Sequence, residues 1–460
     1  MNRTPELVFN PPDPAHATLG GQLPFDPLTA MKIPVIASLA LLWSASLFAA
    51  DPKAAPLPLR WKAAAASIVI TPTKNLMMAG YAGRNRPAEG KYQELFAKAL
   101  ALQDEQGQKF VIVTMDLIGV TQPIHHHIAE RAQKELGLPV QSLLLNASHT
   151  HSGPSTRTLP VEGNDLDNQR RRDSYVYTQE LQEKIFRVIG EALGKLEPAR
   201  LTWNRARSGF AMNRRLPTPK GYQNSPNPDG PVDHEVPVLR IEAANGELRA
   251  MLFGYACHNT CLGTYNYCGD YAGYAQEYLQ AHRTNFTAMF LMGCAGDQNP
   301  YPRGTAVVPG LTDLDLARAH GRALANSAEM ANLTPKREVR GPIRAAYEEV
   351  MLDYAPEKAK PSHSYPVQVI AFGNDLTLVA LGSEVVVDYS LRLKRELAGE
   401  AAVWVAGYSN DYTGYMPSVR VLKEGGYEAN AGWAESVEER IVGKVHELHR
   451  RVGRPGAARP

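Results

Sequence analysis

Residues 143–154 read LLLNASHTHSGP, and the fold class turns on them. The three leucines have the look of a buried strand that runs through Asn146 and Ala147, and Ser152-Gly153-Pro154 then turns the chain away. In an extended segment residues i and i+2 point to the same side, so His149 and His151 face one pocket together. That pocket lies at a strand end, where loops carry function. Neutral imidazole is a good zinc ligand, which makes a His-x-His pair a reasonable beginning for a metal site. The competing reading is two histidines hydrogen-bonded at a loop, and partners elsewhere must decide between them.

Working outward, apolar strands recur along the chain. Residues 63–71 (AAAASIVIT) predict a first strand, followed by a glycine-containing loop, MMAGYAGRNRPAEGKYQ. Residues 110–114 (FVIVT) predict a second, ending at Asp116. Pro123, with Ile124, Ile128, Ala132 and Leu136 at i+4 spacing and Gly137 at the end, predicts a helix. His125, His126 and His127 fall in its first turn, where consecutive residues point in three directions and cannot hold one ion. A second helix is expected near residues 177–193, and 205–215 (RARSGFAMNRR) reads as irregular. Asn245-Gly246 between two strand-like runs predicts a hairpin whose second strand feeds Cys257-His258. Further strands are expected at 290–292, 376–381 and 403–406, with helices after Gly269, over 316–330 and near 434–452.

Asp116, His149, His258, Asp297, Glu384 and the Tyr412/Tyr415 loop all follow apolar strands. In α/β sheets ligands bind in the crevice beyond the carboxyl ends of strands. The fold expected is therefore α/β, with mixed β-sheets flanked by helices in a single large catalytic domain.

With 49 basic against 47 acidic residues in 460, the formal charge of +2 gives no reason to expect a nucleic-acid partner. Residues 31–50 (MKIPVIASLALLWSASLFAA) read as a secretory signal peptide, with an uncleaved anchor as the competing reading. Translation is then expected to start at Met31, leaving 1–30 as a non-native or disordered extension. Residues 51–60 read as a linker, 61–452 as the catalytic domain and 453–460 as a disordered tail. An exported, periplasmic or secreted protein follows, in which Cys257, Cys261, Cys268 and Cys294 are able to form disulfides.

The blocks NASHTHSGP (146–154), YACHNT (255–260), Gly269–Tyr274 (GDYAGY) and GYSNDYTGY with the later Tyr427-Glu428 together resemble the N-terminal catalytic domain of the neutral/alkaline non-lysosomal ceramidases. The resemblance extends from about Ile68 to Gly443. It implies a zinc-dependent amidase cleaving an N-acyl bond, with His149, His258, Glu384 and Tyr415 as Zn²⁺ ligands. Tyr415 is preferred to Tyr412 on its spacing to Tyr427, and the choice stays open. The resemblance makes His151 a catalytic residue beside the metal, and Arg214 and Tyr427 groups that bind or polarise the substrate. It further implies a small-molecule or lipid-like amide substrate, with access from a membrane surface, and sphingolipid metabolism as the setting.

Two departures are visible. Asn299, in Gly296-Asp297-Gln298-Asn299-Pro300, stands where the family carries an active-site serine, so an acyl-serine is excluded there and a metal-activated water is not. The chain also stops where the family usually adds an immunoglobulin-like domain. The alternatives are a non-catalytic metal- or ligand-binding relative, a zinc esterase with a non-ceramide substrate, and a structural zinc held by Cys257, Cys261 and Cys268 around His258. Asp116 and Asp297 either support the histidines or hold strand-end loops. No dinucleotide fingerprint is evident, so no organic cofactor is expected, and the sequence does not give the oligomeric state.

Overall fold

A computed structural model describes residues 59–163, 165–304 and 309–453. The signal peptide, the extension before it, most of the linker and all but Gly453 of the tail lie outside the described residues. The described part falls within one compact unit. No described helix is long and apolar enough to cross a membrane.

Two sheets pack face to face. The larger runs, in spatial order, Thr287–Met292, Leu248–Tyr255, Glu235–Ala243, Glu197–Arg207, Trp61–Val69, Phe96–Gln103, Lys109–Met115 and Leu143–Ala147, with the short Arg337–Glu338 strand added beside Glu197–Arg207. Its central pairs are antiparallel, and the outermost pair on each edge is parallel. The smaller sheet is Ile343–Leu352, His363–Phe372, Leu376–Leu381 and Ala402–Ala406, the last two parallel. Between the sheets lies an apolar layer in which Trp61, Phe110, Leu144, Trp203 and Leu252 meet Phe372, Leu378 and Trp404.

Helices cover the outer faces. Gln122–Leu136 and Leu166–Gly194 pack on one half of the large sheet, and Asp270–Gln280 and Asp313–Met330 on the other. Val387–Glu396 and Val437–Gly453 cover the small sheet. Strands sandwiched this way are buried on both faces, and this is why LTLVAL at Leu376–Leu381 carries no polar alternation. The helix at Gln122–Leu136 forms as its sequence predicts: Pro123 lies in the first turn, Ile124, Ile128 and Ala132 are buried, and Gly137 ends it at φ 64°.

The two edge strands of the large sheet, Leu143–Ala147 and Thr287–Met292, meet at their carboxyl ends. The Asn146 amide oxygen accepts from the Met292 N–H at 2.9 Å, and its nitrogen donates to the Gly407 carbonyl at 2.7 Å. One side chain thus joins three strand ends from both sheets.

Some expectations need correction. Residues 205–215 are not irregular: the Glu197–Arg207 strand ends and Ala211–Thr218 begins after three residues, paired with Gln298–Pro300 on one side and Gly221–Asn227 on the other. Its polar residues hid it, because they point into a buried polar site. The second helix starts at Leu166, capped by Asp165, whose carboxylate accepts from the Asn168 N–H at 2.9 Å. All four cysteines are buried free thiols.

Gly254 shows how closely the layers approach: a Cβ there would lie 2.8 Å from the Leu291 carbonyl oxygen and 2.8 Å from Trp404. Gly254→Ala is expected to cost about 1–3 kcal/mol, the usual penalty of an overpacked core. Urea unfolding followed by tryptophan fluorescence measures it, and an unchanged midpoint would contradict this packing.

Candidate metal centre

His149 sits two residues beyond the Leu143–Ala147 strand, with its backbone in the left-handed region at φ 60°. Its Nδ1 is 2.7 Å from the Ile118 carbonyl oxygen. His258 follows the Leu248–Tyr255 strand, and its Nδ1 is 2.7 Å from the Ala295 carbonyl oxygen. A carbonyl only accepts, so each Nδ1 carries a proton and Nε2 is the nitrogen left to face the site. Both Nε2 atoms face one carboxylate: Glu384 Oε2 is 3.3 Å from His149 Nε2 and 3.2 Å from His258 Nε2. Glu384 follows Leu376–Leu381 on the smaller sheet, and all three residues are buried.

Burial lowers the His258 imidazole to about 3, with the Arg214 charge adding to the effect. Burial pushes the Glu384 carboxyl up, but His149 and His258 outweigh it and hold it well below its ordinary value. Two imidazole nitrogens and a carboxylate oxygen converge. Such a set needs positive charge among its members, and its N/N/O composition suits a borderline divalent ion such as zinc. The donor set fits a metal.

His151 lies beside these ligands, Nε2 to Nε2 3.0 Å from His149. The three histidines form the one group of metal-capable side chains found among the described residues, and no cysteine belongs to it. Burial, followed by the neighbouring His149 and His258, lowers His151 well below its ordinary pKa. Its ring is packed by Tyr81, centroids 4.7 Å apart, and its carbonyl accepts from Arg84. Gly80 is essential to that approach: at φ 100°, a Cβ would stand 2.6 Å from the His151 ring.

On the opposite wall, Arg214 is buried, with Nη1 3.4 Å from both His258 Nε2 and Asn299 Oδ1. Its Nε donates to Glu428 Oε1 at 2.8 Å, while Arg215 Nη1 donates to Glu428 Oε2 at 2.5 Å. Consecutive strand residues ordinarily face opposite ways, and the register shift between Asn213 and Arg215 accompanies this shared approach to Glu428. Burial opposes the Arg214 charge, but Tyr415 and Glu428 outweigh it and raise the guanidinium. Two buried donors here have no partner among the described residues, Arg214 Nη2 and Asn299 Nδ2.

Tyr415 pairs with Glu384 backbone to backbone, and its ring lies 6.4 Å from that of His258 and under Arg214. Tyr412 donates its hydroxyl to Glu384 Oε1 at 2.9 Å, so both tyrosines of the loop reach the carboxylate's surroundings. Tyr427 is half exposed at the rim, its ring 5.2 Å from that of Tyr415.

The eight residues singled out from sequence therefore line one site. Asp116 and Asp297 act as loop braces: Asp116 accepts from the Phe96 N–H at 2.9 Å, and Asp297 from Val387 N–H at 2.8 Å and Asn213 at 3.0 Å. Burial raises Asp297 to about 6. Of the histidine triplet, His125 is buried and His126 meets Glu349 at 2.7 Å on the surface. Sequence reasoning missed Arg215, the Glu428 anchor, Tyr81 and Arg84. The available signals were Gly80 in a glycine-containing loop and the Tyr427-Glu428 pair.

The chain matches the family model for neutral/alkaline non-lysosomal ceramidase, N-terminal, over residues 65–308. It is 28% identical over 257 residues to neutral ceramidase B of Dictyostelium discoideum, covering 50% of this chain and 34% of that protein. It is 27% identical over 281 residues to the neutral ceramidase of Pseudomonas aeruginosa, covering 57% of this chain and 40% of that one. These matches span well under half of the relatives' length. The crystal structure of the Pseudomonas aeruginosa neutral ceramidase superposes with a TM-score of 0.71 at 20% identity, covering 87% of this chain and 76% of that chain.

Glu428→Gln is expected to cost about 3–5 kcal/mol at neutral pH, because it leaves buried guanidinium groups without their carboxylate. Burial raises the Glu428 carboxyl, but Arg214 and Arg215 outweigh this and depress its folded pKa below the ordinary 4.5. Its contribution is therefore complete above about pH 4.5 and is lost as pH falls through the depressed value. Wild type and variant should converge below that window in denaturant titrations. A constant gap down to the acid limit would refute the ion-pair account.

Proposed function

We propose that this chain, which belongs to the neutral/alkaline non-lysosomal ceramidase family, is an exported zinc-dependent hydrolase that cleaves an N-acyl amide bond in ceramide or another lipid-like substrate. One observation carries the reading. His149 Nε2 and His258 Nε2 both converge on Glu384 Oε2, 3.3 and 3.2 Å away, in a buried site bordered by donors that have no partner among the described residues.

His149, His258 and Glu384 would hold the metal, with Tyr415 as fourth ligand and Tyr412 braced on the carboxylate. Bound zinc supplies Lewis-acid polarisation and lowers the pKa of water to about 7. The remaining work falls to the chain. His151, neutral at pH 7 because burial lowers its pKa, accepts a proton from the attacking water and gives it to the leaving amine. Protonated in that setting, it is a stronger acid than free imidazole, which favours the second transfer.

Arg214 Nη2 and Asn299 Nδ2 donate to the oxygen on which charge develops. Asn299 stands in the place we assign to the family's serine and acts through its amide rather than as a nucleophile. Tyr427, at the rim, contacts the substrate as it enters. The secretory signal at 31–50 and approach from a membrane surface are parts of the same proposal.

Metal content of untagged protein, paired with hydrolysis of a short-chain fluorogenic ceramide before and after chelation, tests this. About one zinc per chain and chelator-sensitive release of fatty acid are expected. Zinc without turnover would move the substrate to other N-acyl amides or esters. Protein that neither contains zinc nor takes it up would sink the proposal. Asn299→Ala should lower kcat about 10²–10³-fold, the usual cost of losing one oxyanion donor, with zinc content unchanged. An equal loss of zinc would make Asn299 structural instead.

A further inference from the structure

A cavity of about 290 Å³ is lined by none of the residues of the metal centre. It begins one residue past the Ser152-Gly153-Pro154 turn, where Ser155 N–H donates to the Met77 carbonyl at 2.8 Å. Its wall carries Arg157, Arg170 and Arg171, with the hydroxyl residues Ser155, Thr156 and Ser174 and a single carboxylate, Asp167. Three guanidinium groups thus face one acid.

The ion pairing around them is incomplete. Arg170 reaches Asp167 at 3.4 Å. Nearby, Lys74 and Asp173 are 4.0 Å apart, and Arg172 donates to Gln169 and the Gly163 carbonyl. Arg157 and Arg171 have no ion pair among the described residues, and Arg157 Nε is buried without any partner. The Arg157 backbone is held in place, since its amide N–H donates to Thr178 Oγ1 at 2.8 Å. A buried guanidinium donor left unpaired costs free energy that a bound anion would recover.

We propose that this cavity binds the phosphate group of a ligand, a soluble phosphorylated molecule or the head group of an anionic lipid. Guanidinium forks match phosphate oxygens two at a time. Three of them with the neighbouring hydroxyls offer more donors than a carboxylate's two oxygens take up, and they suit a tetrahedral oxyanion. The volume is near the lower end of the roughly 300–1,000 Å³ typical of small-molecule sites, enough for a phosphate with a short substituent. The site is distinct from the metal centre, and its occupancy does not depend on hydrolysis.

Isothermal titration of the full-length, metal-loaded protein with inorganic phosphate tests the proposal. It is run alongside co-sedimentation with phosphatidylcholine vesicles that contain or lack phosphatidic acid. One saturable phosphate site is expected, with Kd raised at least tenfold in Arg157→Gln/Arg171→Gln, raised less in the exposed Arg171→Gln alone, and unchanged in the control Arg187→Gln. Retention on phosphatidic acid vesicles that phosphate competes away identifies the lipid head group. Phosphate binding without retention identifies a soluble ligand. Absence of both, or phosphate binding that chelation abolishes while the double substitution does not, would overturn the site.

Discussion

Two imidazole Nε2 atoms face one buried carboxylate oxygen at 3.3 and 3.2 Å, an arrangement that needs positive charge among its members. The carbonyls of Ile118 and Ala295 hold each Nδ1–H, so Nε2 is the nitrogen turned toward Glu384. Tyr412 donates its hydroxyl to the same carboxylate. In a low-dielectric site a carboxylate without positive charge beside it costs several kcal/mol. The chain holds the groups there because each is fixed to a strand end by backbone pairing, and the fold is arranged around keeping those ends together.

That arrangement explains why the two sheets close where they do. Asn146 links both edges of the larger sheet to the loop after Ala402–Ala406, and Asn410 returns its backbone N–H to Leu145 at 2.9 Å. His149, His258 and Glu384 then arrive from three strands without any of them sitting on a long mobile loop. The second wall is built differently. There the Glu428 carboxylate draws two adjacent arginines off a bulged strand, and Arg214 is held cationic beside the metal site.

Much of this was legible in the chain. The helix from Gln122 to Leu136, the Asn245-Gly246 hairpin and the Leu376–Leu381 strand are written in local periodicity and turn chemistry. His149, His258 and Glu384 were legible because each follows an apolar run, whereas Arg214, Asn299 and Tyr427 stood out only through the family resemblance. What was hidden depends on distance in sequence: Arg214 and Glu428 are brought together by tertiary packing, and nothing local marks either as a partner. The Ala211–Thr218 strand was hidden for a related reason. Its polar residues face a buried polar wall, so the usual link between polarity and loops fails there.

Among the described residues seven non-glycine residues adopt left-handed backbone, and His149, Ser383, Tyr408 and Asn410 are four of them, all at or next to the metal centre. Each such residue costs on the order of 1–3 kcal/mol and persists only where the surroundings hold it. Stability and site geometry are therefore opposed at these positions. Glycine at Ser383 or Tyr408 would relax the backbone while releasing the loops that aim Glu384 and cover His149. Selection for heat resistance alone would drift toward a sturdier protein with a blunter site, and selection for activity would drift back.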